Sequence, residues 1–259
     1  MGEKMSKAPI FYTLAQIRFS PVLGMVKFIP DIQERLRNTF PDFRNEQTRT
    51  LQLAESGEAS ELKSAALTRW HFVDQSNTSG FILAPTSLVF HTTAYETSNW
   101  FFDTLITGLE VVHSCASLGY IERLGFRTLD AIVPDSQDKL ELYLNPEALG
   151  LYKSFSGELK QHIAEASFSF PPEGNLTVRV VVVKGILGVP TDIFPTSLTL
   201  APRTEGLEGN NAVLDIDRSE QGRMPVDLLE IRRRFEIIKR DATEAFHKMV
   251  TQAALKHWR

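Results

Sequence analysis

The chain has 259 residues, 42% hydrophobic and 23% charged, enough to bury a core without disulfides or a structural metal. Its one cysteine, Cys115, excludes a disulfide framework and any multi-cysteine zinc site. The formal charge of −4 hides a gradient: residues 1–49 and 225–259 each carry 8 basic and 5 acidic side chains, and residues 50–224 carry 12 and 22, a pattern that weighs against nucleic-acid binding.

Residues 10–19 read as a strand, with Phe11, Thr13, Ala15, Ile17 and Phe19 on one face at period two. Ser20-Pro21 is a helix start with a serine cap, and Pro30-Asp31 offers a second, so residues 21–40 form one kinked helix or two short ones. Pro41 ends that segment. Leu51 and Leu53 alternate in a strand over 48–54, and 56–64 is a polar loop. Residues 67–73 and 80–83 form a hairpin around Gln75 to Ser79. Pro85 interrupts the pattern, and Leu88, Phe90 and Thr92 resume it.

Residues 98–118 carry a helical stripe of Phe101, Leu105, Leu109, Val112 and Ala116, capped by Ser98 and stopped by Gly119. A strand follows over 120–133, with Gly125 as a bulge candidate. Residues 145–150 combine a cap, a proline at the first position and a closing glycine, which makes one helical turn. Residues 158–170, 176–184 and 212–218 are strands, and the apolar run from Val178 to Val183 predicts cover on both faces. Residues 185–211 read as long loops around a short strand at 197–200. Asp227 and Glu230 have capping-box spacing, with Val226 and Ile231 as a staple. That helix is expected to reach His257, roughly 45 Å at 1.5 Å per residue. The expected fold is therefore a single α+β domain over 1–259: antiparallel-rich sheet in two related halves, 1–119 and 120–259, packed by two long helices.

Phe19-Ser20-Pro21, Phe40-Pro41, Trp70-His71-Phe72, Tyr95 with Trp100-Phe101-Phe102, Gly125-Phe126-Arg127 and a last helix ending near Trp258 occur in that order. Together they resemble a sporadically distributed bacterial family of similar length and unassigned function. Members of that family carry an Arg-Tyr-x-Asn pattern where this chain has Arg127-Thr128-Leu129-Asp130, so no role is carried over for that asparagine. The resemblance implies a place in a bacterial multi-gene system, of the antiviral defence or toxin–antitoxin kind.

Chemistry-bearing residues are sparse. Pro134-Asp135 with Glu158 and Lys160 fits the PD…ExK pattern of metal-dependent nucleases, in which carboxylates hold Mg²⁺ and a lysine orients water. Pro41-Asp42 with Glu61 and Lys63 fits it equally, which shows how little the pattern selects. Asp215 and Asp217 share a strand face and, with Glu220, offer oxygens to a divalent ion; an amphipathic solvent face gives the same spacing. The six histidines lack zinc-ligand spacing, and His71 reads as a surface or edge residue opposite Trp70 and Phe72. Cys115 reads as helix packing. Arg127 needs a carboxylate partner if buried, or else lines a groove. Arg232, Arg233 and Arg234 oppose the dipole of the last helix and either meet an acidic partner or pair with Glu230 and Glu236. No glycine-rich nucleotide loop or nucleophile elbow is present.

No apolar run reaches the ~20 residues of a membrane span, and the polar start at Met1 to Lys7 does not resemble a signal peptide. The expected setting is cytoplasmic. The leading expectation is a non-catalytic interaction or regulatory component with a protein partner, Arg127 and Arg232 to Arg234 being the candidate contacts and no cofactor being required. The alternatives are a nuclease or phosphodiesterase that needs a divalent metal, and a small-ligand binding module.

Overall fold

A computed structural model describes residues 7–52, 63–135, 138–152, 154–170, 174–193, 196–200 and 208–259, with side chains described throughout except at 48–52 and 63–67. Among these residues the fold is α+β, built on a nine-stranded antiparallel sheet. The strands are β1 (Ile10–Phe19), β2 (Asp42–Gln52), β3 (Lys63–Val73), β4 (Ser79–Ala84), β5 (Ser87–Thr92), β6 (Ile121–Ile132), β7 (Gln161–Phe170), β8 (Gly174–Lys184) and β9 (Asn210–Met224). Their spatial order is β2-β3-β4-β5-β1-β6-β9-β8-β7, with β1 and β6 paired in the middle.

Alternation along each strand divides the side chains between two faces. One face is apolar and carries the helices: α1 (Ile29–Leu36), α2 (Ser98–Ala116) and α5 (Leu228–Met249), with two short turns of helix, α3 (Leu140–Tyr143) and α4 (Pro146–Leu149), and the final α6 (Gln252–Trp258). Phe90, Phe101, Phe102, Phe126 and Phe235 form its aromatic centre. Phe102 stacks on Phe235 with ring centroids 5.2 Å apart, and Phe101 meets Phe90 at 5.0 Å. Gly108 on α2 lets this layer close: a Cβ there would stand 2.4 Å from the Phe81 ring.

Both long helices begin on a side-chain cap. Asp227 accepts from the N–H groups of Leu229 and Glu230, as the capping-box spacing predicts. On α2 the cap is Thr97, which accepts from Trp100 N–H, so Ser98 is the first helical residue and not the cap. Ser117, at φ 51°, closes α2 where Gly119 was expected to. Ser20 is likewise no cap. Its hydroxyl accepts from Gly119 N–H, and residues 25–36 are a 3-10 turn followed by α1.

The last helix is not one rod reaching His257. It stops at Met249, because Val250 turns extended to bridge Leu144, and Thr251 then caps α6 by accepting from Ala254 N–H. The Asn145 amide holds this corner through the carbonyls of Lys248 and Val250. Lys7, the first described residue, joins α6 through its N–H, which donates to the Trp258 carbonyl at 3.0 Å.

Among the described residues the other face of the sheet carries no helix. Its middle is roofed by residues 185–193 and 196–200, and Leu187 and Leu198 pack there on Phe11, Leu129, Ala131 and Val213. Phe11 therefore leaves the face of Ala15, Ile17 and Phe19, because a register shift between Ile10 and Tyr12 turns it over. Residues 197–200 form no strand. They hang from the β3–β4 turn, where Thr199 N–H donates to the Asn77 carbonyl at 2.8 Å. That turn is fixed by Asp74, which accepts from both the N–H and the hydroxyl of Thr78. The sides of β8 also differ: Val178, Val180 and Val182 are buried under the helices, whereas Arg179, Val181 and Val183 are half-buried. Of the predicted loop at 56–64, residues 56–62 lie outside the described residues, as does Leu53, and Lys63 and Ser64 belong to β3 instead.

Candidate ligand cavity on the helix-free face

Between the roof and the sheet lies a cavity of about 340 Å³. Its floor crosses seven strands in spatial order: Glu46 on β2, Arg69 and His71 on β3, Ile82 and Ala84 on β4, Val89 and His91 on β5, Tyr12, Leu14 and Gln16 on β1, Arg123, Gly125 and Arg127 on β6, and Asp217 on β9. Asp192, Ile193 and Thr196 hang over it. Each floor residue is the outward position of a strand whose alternate positions fill the aromatic core. Arg123, Gly125 and Arg127 thus point away from Leu124 and Phe126, and Gln16 points away from Ala15 and Ile17.

Arg127 is fully paired. Its Nε and Nη2 each donate to Asp215 at 2.8 Å, and Nη1 donates to Asp192 at 2.5 Å. Arg179 adds a third donor to Asp215 at 2.9 Å and reaches Glu165 on β7. Burial opposes the Arg127 charge, but the two carboxylates outweigh it and hold its pKa above the ordinary value. Asp192, in turn, sits below its usual range despite partial burial, because Arg127 stabilises its charge. The pair ties the roof to β6.

Arg123 has one side-chain partner, donating from Nη1 to Gln16 Oε1 at 2.8 Å. Among the described residues no carboxylate comes within 4 Å of it, and burial pushes its pKa down. Gly125 is no bulge, since it pairs in regular register with Gln16 and Ser219. Its role is space: a Cβ there would stand 2.8 Å from Arg123 Nη1, so the guanidinium folds over a bare backbone. Asp217 is half-buried beside these cations and makes no ion pair among the described residues. Burial raises its pKa against the pull of Arg123 and Arg127.

At the other end Tyr12 and His91 face each other, hydroxyl to Nδ1 at 2.7 Å. Full burial holds His91 neutral with a pKa of about 3 and pushes the Tyr12 phenol up to about 12. His71 is buried, not a surface residue. Its Nε2 lies 3.0 Å from Glu46, yet burial outweighs that carboxylate and lowers its pKa.

The other candidates are dispersed. Glu158 pairs with Lys160 at 3.4 Å and Lys184 at 3.5 Å, whereas Asp135 lies 3.8 Å from His257 beside α6. Glu61, of the second nuclease-like match, lies outside the described residues. Asp215 is spent on Arg127 and Arg179, and Glu220 turns to the helix face and pairs with Arg234. Among the described residues no three His, Cys, Asp or Glu side chains are grouped to hold a metal ion. Arg232 pairs with Glu236 and Asp103, Arg233 with Glu230, and Arg234 with Glu230 and Glu220. Cys115 is partly buried against the core.

Sequence reasoning reached Arg127, Asp215 and Asp217 but missed Arg123, Gln16, Arg69, Tyr12 and His91. The usable signal was polar side chains at the alternate positions of strands whose other face is wholly apolar. No helix among the described residues is long and apolar enough to cross a membrane. The sequence matches no family model and no curated protein.

Proposed function

We propose that the chain is a small-ligand binding module whose site is the roofed cavity on the helix-free face. The observation that carries this reading is Arg123, a half-buried cation in a ligand-sized space with one neutral side-chain partner and, among the described residues, no ion pair. Burying a charge unpaired costs free energy, and the same residue type four positions on is fully paired. In the setting implied by the family resemblance, the module is a non-catalytic, cytoplasmic regulatory component that reports ligand occupancy to a protein partner. The arginines of the last helix are a weaker basis for partner contact, since each already has an acidic neighbour. Related halves at 1–119 and 120–259 belong to the same proposal. In each, the last strand returns antiparallel beside the first and a long helix follows: β5 beside β1 before α2, and β9 beside β6 before α5.

Thermal unfolding with a panel of neutral, cationic and anionic metabolites tests the binding reading. A true ligand at a hundredfold its Kd stabilises by about 2.7 kcal/mol. Val89→Trp, which fills the cavity floor, is expected to abolish the shift. A panel that leaves the wild-type transition unmoved, or a shift that survives Val89→Trp, refutes the reading.

A further inference from the structure

We infer that the cavity takes a small organic anion, with its carboxylate or phosphate group seated on the Arg123 guanidinium. The inference rests on the reading of the cavity as a ligand site and specifies its chemistry.

Pairing within the cavity points to an anion. Arg127 is matched by Asp215 and Asp192, and Glu46 lies 3.0 Å from His71 Nε2. Arg123 and Arg69 make no ion pair among the described residues. Asp217 also lies on the floor, where burial raises its pKa, and it makes no ion pair with Arg123. Two cations without a paired carboxylate therefore face the cavity, one on β3 and one on β6.

Geometry adds to the charge argument. A guanidinium offers five N–H donors in a rigid planar fork, and Arg123 spends one of its side-chain donors on Gln16. That fork matches the paired oxygens of a carboxylate or phosphate. Gly125 leaves the strand bare beneath it, so the fork lies within the cavity and not above the sheet. Gln16, a neutral acceptor, orients the fork without neutralising it. A volume of about 340 Å³ suits a single metabolite.

The test uses the full chain with two probes, inorganic phosphate and malonate, titrated at constant ionic strength against chloride. Melting temperature and the Arg123 Nε–Hε resonance are followed together. At least one probe is expected to saturate and to move that resonance. Arg123→Gln should weaken its binding at least tenfold without loss of fold by circular dichroism. Arg240→Gln, on the far side of the sheet in α5, should bind as wild type. The stronger probe identifies the group as phosphate or carboxylate. Binding that survives Arg123→Gln overturns the inference. Binding by neutral compounds alone, lost in Val89→Trp, overturns the anion and leaves the ligand site standing. No binding by any compound overturns both.

Discussion

The two faces of the sheet are buried by different materials. On the helix face, phenylalanines from β5, β6, α2 and α5 touch ring to ring, and the polar groups lie at its margins, as where Arg218 meets Asp241 of α5. On the other face a loop covers a row of charges, held by the buried Arg127–Asp215 pair and latched by Asp192. Apolar packing has no directional requirement and tolerates no voids. A polar row under a loop is the reverse: it leaves space, but every charge needs a partner or a ligand.

The sharpest contrast is between one deletion on each face. Phe102→Ala removes a fully buried ring from the stack with Phe235 and should cost about 3–5 kcal/mol in urea unfolding. Asp215→Ala should cost a similar ~3–5 kcal/mol for another reason, since it strands the buried Arg127 charge. The two separate on repair. Arg127→Met combined with Asp215→Leu should recover most of the loss, because the stranded charge is gone. If the double variant is as unstable as the single, the pair is not the origin of the cost.

A second contrast is in pH. His91 binds its proton at about pH 3 when folded and near 6.5 when unfolded. The unfolded chain therefore holds more protons between those values. The stability contribution is complete above pH 6.5 and falls as pH drops toward 3. About 3 kcal/mol should be lost between pH 7 and 4, from the helix-free face alone. His71, also lowered, adds in the same direction, whereas Asp217, raised, opposes it. His91→Asn should flatten the profile. An unchanged slope in that variant would place the acid sensitivity elsewhere.

These faces were unequally legible in the sequence. The helix face follows from local patterns: the stripe from Phe101 to Ala116, the Asp227 cap and the alternation of β1 are each contained within a single element. The break at Val250 was not legible, since neither proline nor glycine marks it and its cause, Leu144, is distant in the chain. The cavity was hidden for the same reason. Gln16, His91 and Arg123 each look like an ordinary outward residue of an amphipathic strand. Only the order β2-β3-β4-β5-β1-β6-β9 brings them onto one floor. Arg127 was an exception, because a charge so placed in a strand that reads as buried requires a carboxylate wherever the chain supplies one.

Two glycines give the finest test, one on each face. Gly108→Ala places a Cβ 2.4 Å from the Phe81 ring, which is itself wedged against Phe40 and Phe90. Nothing there yields without moving the aromatic layer, and the cost should be about 1–3 kcal/mol. Gly125→Ala places a Cβ 2.8 Å from Arg123 Nη1, the far end of a flexible side chain. The guanidinium can lift away, so stability should change by no more than about 0.5 kcal/mol. What changes is the seat: with the fork displaced from Gln16, phosphate or malonate affinity should fall severalfold while the urea midpoint stays put. A Gly125→Ala protein that binds as wild type would show that the bare backbone is not what positions Arg123. One that loses stability as Gly108→Ala does would show that the helix-free face is packed as tightly as the other, and that its space is not held open for a ligand.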